Sequence, residues 1–497
     1  MSKFYITTPI YYVNSKPHIG HAYTTIAADV LARYNRMIGK DTYYLTGTDE
    51  HGEKIACSAE EVGRDVKTFV DEISAQYQIM WDTLNISNDI FYRTTSTKHK
   101  EGVVKFMNVL QDAGVLYKDK YEGLYCTGCE NFITRKELVD GKCPNHNKVP
   151  KNIVEENYFF KLTDYLDEIK KLIEEDKIKI YPKSAKKETL GLFRQNLKDI
   201  SVTRENVKWG IKLPFDDKQT IYVWVEALQN YITAHGYNPK KKDYEQYWPA
   251  DVHIIGKDIL KFHAIYWPAM LLAAGEKLPE TIFVHGYFTV DGKKMSGSIG
   301  NVIDPNDLVK DYGTDGARYL ILSQFPFGSD GDVKAEKFEE QYNAELANNL
   351  GNLVSRVVNL SQGILQESDY DKKLEEKVSA TWNNYHDAME VLRIDQALGS
   401  VSNFINYLNK YIDEKKPWEI KKIDQKKFAI LMQGLSECLR HIGWMVRPYL
   451  PETSDKILRQ LGILDDEKSL RLDKIKKWKE IDFSKIKKGE ILFPKNK

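Results

Sequence analysis

Little in this sequence points to an extracellular or membrane setting. Five cysteines in 497 residues are too few for a disulfide framework, and three of them crowd between residues 126 and 143, a distribution that suggests metal instead. No apolar run approaches the roughly 20 residues that a membrane span needs. The start, M-S-K-F-Y-I-T-T-P, has no apolar signal segment behind a basic start, so the expectation is a cytosolic protein. Neither charge sign dominates, with 72 Lys and Arg against 72 Asp and Glu. That balance does not exclude nucleic acid, because binding depends on local basic patches, and lysines do cluster at 415–427 and 474–488. Internal repeats and low-complexity tracts are absent, which removes solenoids and tandem arrays. What is there is an ordinary globular composition, 42% hydrophobic and 29% charged, with 30 tyrosines. At about 150 residues per domain, the length allows three or four domains.

Residues 3–10 alternate and are β-prone. Pro17 and Gly20 break that pattern, and Ile26, Val30, Leu31 and Tyr34 then recur at helical spacing up to residue 37. Residues 41–45 read as a second strand that ends in the polar loop 47–52. Strand, loop, helix and strand in this order open a parallel α/β sheet. From about 117 to 150, Gly, Cys and turn residues take over, as in a small insert. Strand candidates return at 220–225, 251–255 and 281–285. After about 345 the β signal ends, and Leu346, Leu350, Leu353, Val357 and Leu360 begin a series of amphipathic helices.

Two motifs suit phosphate chemistry. H-I-G-H at 18–21 lies between the first strand and the first long helix, where backbone N–H groups and imidazoles meet an anion at a helix N-terminus. Gly20 lets substrate approach the backbone closely. Taken alone, the tetrapeptide also fits two surface histidines in a turn. K-K-M-S-G-S at 293–298 follows a strand and suits a closing phosphate clamp, although by itself it also fits a solvated lysine-rich hairpin.

A third motif suits metal. Cys126-x-x-Cys129 and Cys143-x-x-His146, separated by residues 130–142, form two knuckles of a tetrahedral Cys₃His set matched to Zn²⁺. Four protein ligands leave no open position, so one structural zinc is expected, with buried metal-free thiols as the alternative. Cys57 and Cys438 fall on helix-like stretches and read as core residues.

The pairing of H-I-G-H with K-M-S-x-S resembles the signature of class I aminoacyl-tRNA synthetases. T-T-P-I-Y-Y-V-N-S-K-P-H-I-G-H (7–21), T-G-T-D-E-H-G (46–52), Y-V-W-V-E-A (222–227), G-K-D-I-L-K-F-H (256–263) and V-H-G-Y (284–287) resemble the methionyl-tRNA synthetase family in its own order along the chain. The resemblance implies a Rossmann-type parallel-sheet catalytic domain (1–115 and 218–285) split by a zinc-knuckle connective insert (116–217). It further implies a KMSKS-type loop and stem-contact region (286–345), an α-helical anticodon-binding domain (346–465) and a Lys-rich C-terminal segment (466–497). The implied activity is ATP- and Mg²⁺-dependent activation of L-methionine and its transfer to tRNA(Met).

Carried onto this sequence, the family's catalytic positions are His18, His21 and Lys294. Those nearest ATP are Gly20, Gly256, Asp258, Lys293, Ser296, Gly297 and Ser298. Gly297 departs from the family, whose loop is usually K-M-S-K-S. Ile10, Tyr12, Asp49, Trp224, Ala227, Tyr231 and His263 match the methionine pocket, with Asp49 toward the ammonium. From the residues alone, Trp224 and Tyr231 equally fit core packing, His263 a satisfied core histidine and Asp258 a helix cap. Arg204 resembles an arginine that approaches the active site. Asn352 and Arg356 resemble the anticodon-reading pair, and a capping Asn with a surface Arg is the plainer alternative. Trp444 lies near where the family stacks an aromatic on a base, whereas Trp418 reads as a packing residue. No stretch here has the length of the C-terminal dimerising domain of some members, so a monomer is expected. The rival readings are a non-catalytic tRNA-binding paralogue and a class I synthetase for another amino acid. The insert is too short for the editing domain of the branched-chain enzymes, and a closed zinc set does not suit a cysteine enzyme.

Overall fold

The computed structural model describes residues 2–126, 131–133, 135, 138–144, 148–290, 292–295, 302–364, 369–467, 471–478 and 482–495, without the side chains of 121, 131, 132, 293, 294 and 483. Six strands form the central sheet: β1 (Lys3–Tyr12), β2 (Asp41–Asp49), β3 (Ile90–Arg93), β4 (Lys179–Tyr181), β5 (Val252–Gly256) and β6 (Thr281–His285). Their order is β3-β2-β1-β5-β6-β4, and every pairing is parallel. The chain winds outward from β1 in one direction and, after the insert, in the other. The reversal therefore falls between β1 and β5, where Ile6 pairs with Val252. In open α/β sheets ligands bind beyond the carboxyl ends of the strands at this switch.

Alternation along each strand divides the core. Ile6, Ile254 and Phe283 face the helix Ile19–Met37 and a core continuous with the helical domain. Tyr5, Ile255, Ile282 and Val284 face a second core, built with Val103, Phe106 and Met107 of the helix Thr97–Asp112. β1 and β2 lose one register step between Thr7 and Ile10, a bulge that takes up Pro9, which has no N–H to give the ladder.

Two expectations need correction. Residues 220–225 are not a strand of the central sheet. Asp216–Ile221 pairs antiparallel in a separate three-stranded sheet, and Val223–Leu228 is a helix capped at Tyr222. A short β-branched and aromatic run cannot be told from a buried helix by periodicity, and here both ends are buried. β4 lies within residues 116–217 in sequence, yet it pairs with β6 and closes the central sheet. The rest of that stretch is built around a four-stranded antiparallel sheet whose long hairpin is Leu116–Cys126 against Lys151–Phe160.

After Gly331–Val333 the described residues hold no further strand. Helices Asn352–Ser361, Lys372–Glu390, Ile394–Lys415, Gln425–Val446 and Pro451–Gln460 pack around Trp382, Phe404, Leu435 and Met445. Cys438 is buried among them, and Cys57 is half-buried on Glu53–Glu61.

Candidate active site

The carboxyl ends of β1, β2, β5 and β6 carry Tyr12, Asp49, Gly256 and His285. His18 is the N-cap of the helix Ile19–Met37. Its Nδ1 accepts from the Gly20 N–H at 3.1 Å, and His21 Nδ1 accepts from the His18 N–H at 3.2 Å. This is a capping box built from two imidazoles, which stack at 3.7 Å between centroids. Burial lowers His18 to about 4 and takes His21 well below the ordinary imidazole value, with His18 adding to it. Both rings are therefore neutral. Because each Nδ1 accepts, each proton sits on Nε2. The pair offers two N–H donors beside the positive end of a helix dipole.

A Cβ at Gly20 would lie 3.1 Å from His18 Cε1 and 3.2 Å from Met295 Cε. Gly20 thus gives room on one side to the capping ring and on the other to Met295 of the K-K-M-S-G-S segment. That contact brings the two signature motifs together. Lys293 and Lys294 pair in backbone with Val290 and Thr289. Ser296, Gly297 and Ser298 lie outside the described residues. A Cβ at Gly256 would meet Asp258 Oδ1 at 2.6 Å, so glycine is what lets the Asp258 carboxyl fold back over the end of β5. Asp258 also acts on His285, which burial lowers and Asp258 partly restores.

On the other side of the cleft, Asp49 is buried at the end of β2, and Ile10 is half-buried beside Gly47 just past the bulge. The Tyr12 hydroxyl donates to the His51 carbonyl at 3.3 Å. Trp224 stacks on Phe262 at 4.1 Å. Phe262 opens a π-helical turn, Phe262–Tyr266, which turns His263 inward. His263 donates from Nδ1 to the Ile259 carbonyl at 3.0 Å, and its Nε2 therefore accepts from the Tyr231 hydroxyl at 2.8 Å. Burial lowers His263 to about 4 and raises Tyr231, and the Asp49 carboxylate adds to the rise of Tyr231. Ala227 is buried one turn before Tyr231. Arg204 is buried with its guanidinium 3.9 Å from the Tyr222 ring, and it donates to Thr203 O at 2.7 Å.

In the insert, Cys126 and Cys143 are both buried, and Cys143 is held by its own N–H to Lys148 O at 2.9 Å. Cys129 and His146 lie outside the described residues. Two buried thiols in a turn-rich segment with little apolar sequence suit soft metal ligation.

In the helical domain, Asn352 and Arg356 line one open polar cavity of 510 Å³ with Asn348, Asn349, Asn406 and Asn409. Arg356 donates to Asp413 at 2.5 Å, and its guanidinium lies 5.7 Å from the Trp418 ring centroid. Trp418 is 40% exposed, whereas Trp444 is buried with its indole N–H on Glu467 at 2.8 Å. The expectations for these two tryptophans are therefore reversed. Trp444 has no free face for a base, and Trp418 presents one next to Arg356. The signal was the Pro417 step, which starts a new helix and sets Trp418 on its exposed first turn.

The chain matches the profile of the family described as tRNA synthetases class I (M) over residues 4–152 and 146–358, and that of the anticodon binding domain of methionyl tRNA ligase over 363–495. A methionine–tRNA ligase of Caldanaerobacter subterraneus subsp. tengcongensis is 43% identical over 99% of this chain and 78% of its own length. One from Clostridium acetobutylicum is 44% identical over the same shares. The Mycobacterium tuberculosis methionyl-tRNA synthetase in complex with methionyl-adenylate superposes with a TM-score of 0.94 at 33% identity, covering 99% of this chain and 100% of that one. The free form of that enzyme gives 0.87 at 30% identity, over 100% and 99%.

Proposed function

This chain belongs to the methionyl-tRNA synthetases, with the activity of a methionine–tRNA ligase, and we propose that its two steps divide among the residues as follows. Methionine lies in the space between Asp49, Tyr12, Trp224, Ala227 and Tyr231, with Ile10 and His263 closing it. Asp49 takes the ammonium. The aromatic walls suit a thioether, which needs a deformable apolar surface rather than hydrogen bonds. ATP lies over Gly20 and Gly256, with Asp258 accepting from ribose hydroxyls. The methionine carboxylate attacks the α-phosphate in line, and pyrophosphate leaves. His18 and His21 donate from Nε2 to the phosphate oxygens as charge builds, and Lys294, with Lys293 beside it, supplies cationic charge from the loop. Mg²⁺ bound with ATP would neutralise the phosphates. In the second step the 3′-terminal ribose hydroxyl of tRNA attacks the aminoacyl carbonyl, and AMP leaves.

The observation that carries this assignment is the pair of neutral Nε2–H donors on a helix N-terminus at the sheet's switch point, with Met295 of the loop beside Gly20. Methionine-dependent ATP–pyrophosphate exchange tests it, run beside Leu, Ile, Val and Cys. Methionine alone should support exchange. Exchange with another amino acid would overturn the pocket assignment, and none at all in folded protein would favour a binding-only paralogue.

Cys126, Cys129, Cys143 and His146 would hold a zinc that cross-links the insert. Elemental analysis should find about one zinc per chain, and Cys143→Ser should remove it and open the insert to protease. An insert equally protected without metal would overturn the assignment.

Asn352, Arg356 and Trp418 supply amide edges, a guanidinium and a stacking face for splayed anticodon bases. Trp418→Ala should raise the KM for tRNA roughly 5- to 150-fold, since one base stack contributes about 1–3 kcal/mol, with pyrophosphate exchange unchanged. An unaltered tRNA KM would return Trp418 to a packing role.

A further inference from the structure

Behind the methionine pocket lies a buried carboxylate that the chemistry above does not use. Glu226 sits between Trp224 and Ala227 on the helix Val223–Leu228 and is fully buried. Its Oε1 accepts from His51 Nδ1 at 2.8 Å and its Oε2 from His99 Nε2 at 2.7 Å, both rings being buried as well. Burial pushes the carboxyl up, but the two imidazoles outweigh it and hold Glu226 below the ordinary carboxylate value. An ionised carboxylate only accepts, so both ring N–H groups are turned toward it.

Each partner leads to a wall of the pocket. His51 follows Asp49 by two residues, and its carbonyl takes the Tyr12 hydroxyl. His99, on Thr97–Asp112, lies with Nδ1 2.8 Å from Thr233 Oγ1, two residues beyond Tyr231 on Asn230–Thr233. The loop after β2 is anchored from the other side too. Glu50 accepts from Arg93 at 2.6 and 2.9 Å, and the Trp209 indole donates to the Glu50 carbonyl at 2.6 Å. One carboxylate thereby ties together the segments bearing Asp49, Trp224 with Ala227, and Tyr231. Stability alone is a poor reason for it, because a buried ionic cluster is commonly matched by well-packed apolar residues. Fixed orientation of a first layer of contacts is what such a cluster adds.

We infer that Glu226, through His51 and His99, is a positioning residue for methionine recognition, locking the loop that carries Asp49 to the helices that carry Trp224, Ala227 and Tyr231. The inference rests on the pocket assignment made above. It predicts an effect on methionine rather than on ATP, whose contacts at Gly20, Gly256 and Asp258 lie on other elements.

The test is ATP–pyrophosphate exchange with methionine and ATP varied in turn. In Glu226→Gln the amide sets an N–H against one ring N–H. The KM for methionine should rise about tenfold or more, with the KM for ATP held within about twofold. His99→Ala should show the same split. His99→Gln can aim an amide N–H at Glu226 from the same helix and should recover most of the loss. If Glu226→Gln does not fold, the two His99 variants decide. Both KM values moving together, or a lower melting temperature with an unchanged methionine KM, would overturn the inference. Failure of the pocket itself is separately visible, as Asp49→Asn leaving the methionine KM unaltered.

Discussion

Arg318→Ala should lower stability by roughly 3–5 kcal/mol, the usual cost of stripping one partner from a buried ion pair. Arg318 is fully buried on the helix Pro305–Leu322, with Nη2 2.7 Å from Asp29. It also donates to the carbonyls of Tyr449 at 2.7 Å, Leu84 at 3.0 Å and Pro448 at 3.0 Å. These groups belong to three bodies: the helix Ile19–Met37, the turn before β3, and the helical domain. The alanine variant leaves those carbonyls without this donor, and among the described residues Asp29 keeps Arg33 and Ser87. At a few degrees per kcal/mol for a large domain, the melting temperature should fall by about 10 °C.

The pH dependence gives the sign. Burial pushes Asp29 up, but Arg318, Arg33 and Ser87 outweigh it and hold the carboxyl below its ordinary value. Its contribution is therefore present above the unfolded value, about 4, and is lost as pH falls through the lower folded value. The gap between wild type and Arg318→Ala should be widest near neutrality and should narrow below about pH 4. Thermal melts at both pH values check this. A melting temperature within about 2 °C of wild type at neutral pH would mean that the carbonyls find other donors.

Such long-range groups explain what the sequence could not announce. Asp29 and Arg318 each look like a polar residue on a helix, and only the fold brings them together. The same holds for Glu226, His51 and His99, which no spacing rule connects. Local patterns were legible where one element decides. The run 281–285 is β6, buried on both faces and therefore apolar at its centre, Ile282 to Val284. The helical domain was legible from its 3.6-residue period. Residues 220–225 misled because a buried helix of six residues shows no period. β4 was hidden because a three-residue edge strand has too little sequence to stand out from the insert around it.

The site divides in the same way. H-I-G-H was readable because the capping and the close glycine both occur within four residues, at the start of the first helix after β1. The residues proposed to hold methionine lie on β1, β2, two short helices and a π-helical turn. From the residues alone each member fits core packing equally well, and only the resemblance to a family groups them. Trp418 and Trp444 show the limit at one position. Both sit in helical sequence, and exposure, which distinguishes them, is a property of the packed domain.

His18→Asn should slow methionine activation by roughly a hundred- to a thousandfold while changing stability by less than about 0.5 kcal/mol. The two nitrogens of His18 do different work. Nδ1 caps the helix through Gly20 N–H, and Nε2–H is the donor left for phosphate. Asparagine is among the best N-cap residues, and its Oδ1 replaces Nδ1 as acceptor, but it ends before the Nε2 position. The variant thus keeps the fold and removes the donor. His18→Ala loses both and should also cost about 1 kcal/mol of stability. Exchange at saturating substrates, measured with melting curves, separates the two roles. An exchange rate within a few fold of wild type in His18→Asn would mean that the cap is the whole function of this residue. Because burial holds His18 near 4 and takes His21 well below the ordinary imidazole value, both would act as neutral donors. Any imidazole-like rise in rate between pH 6 and 7 must then come from another group, and His18→Asn should leave the shape of that profile unaltered while lowering it throughout.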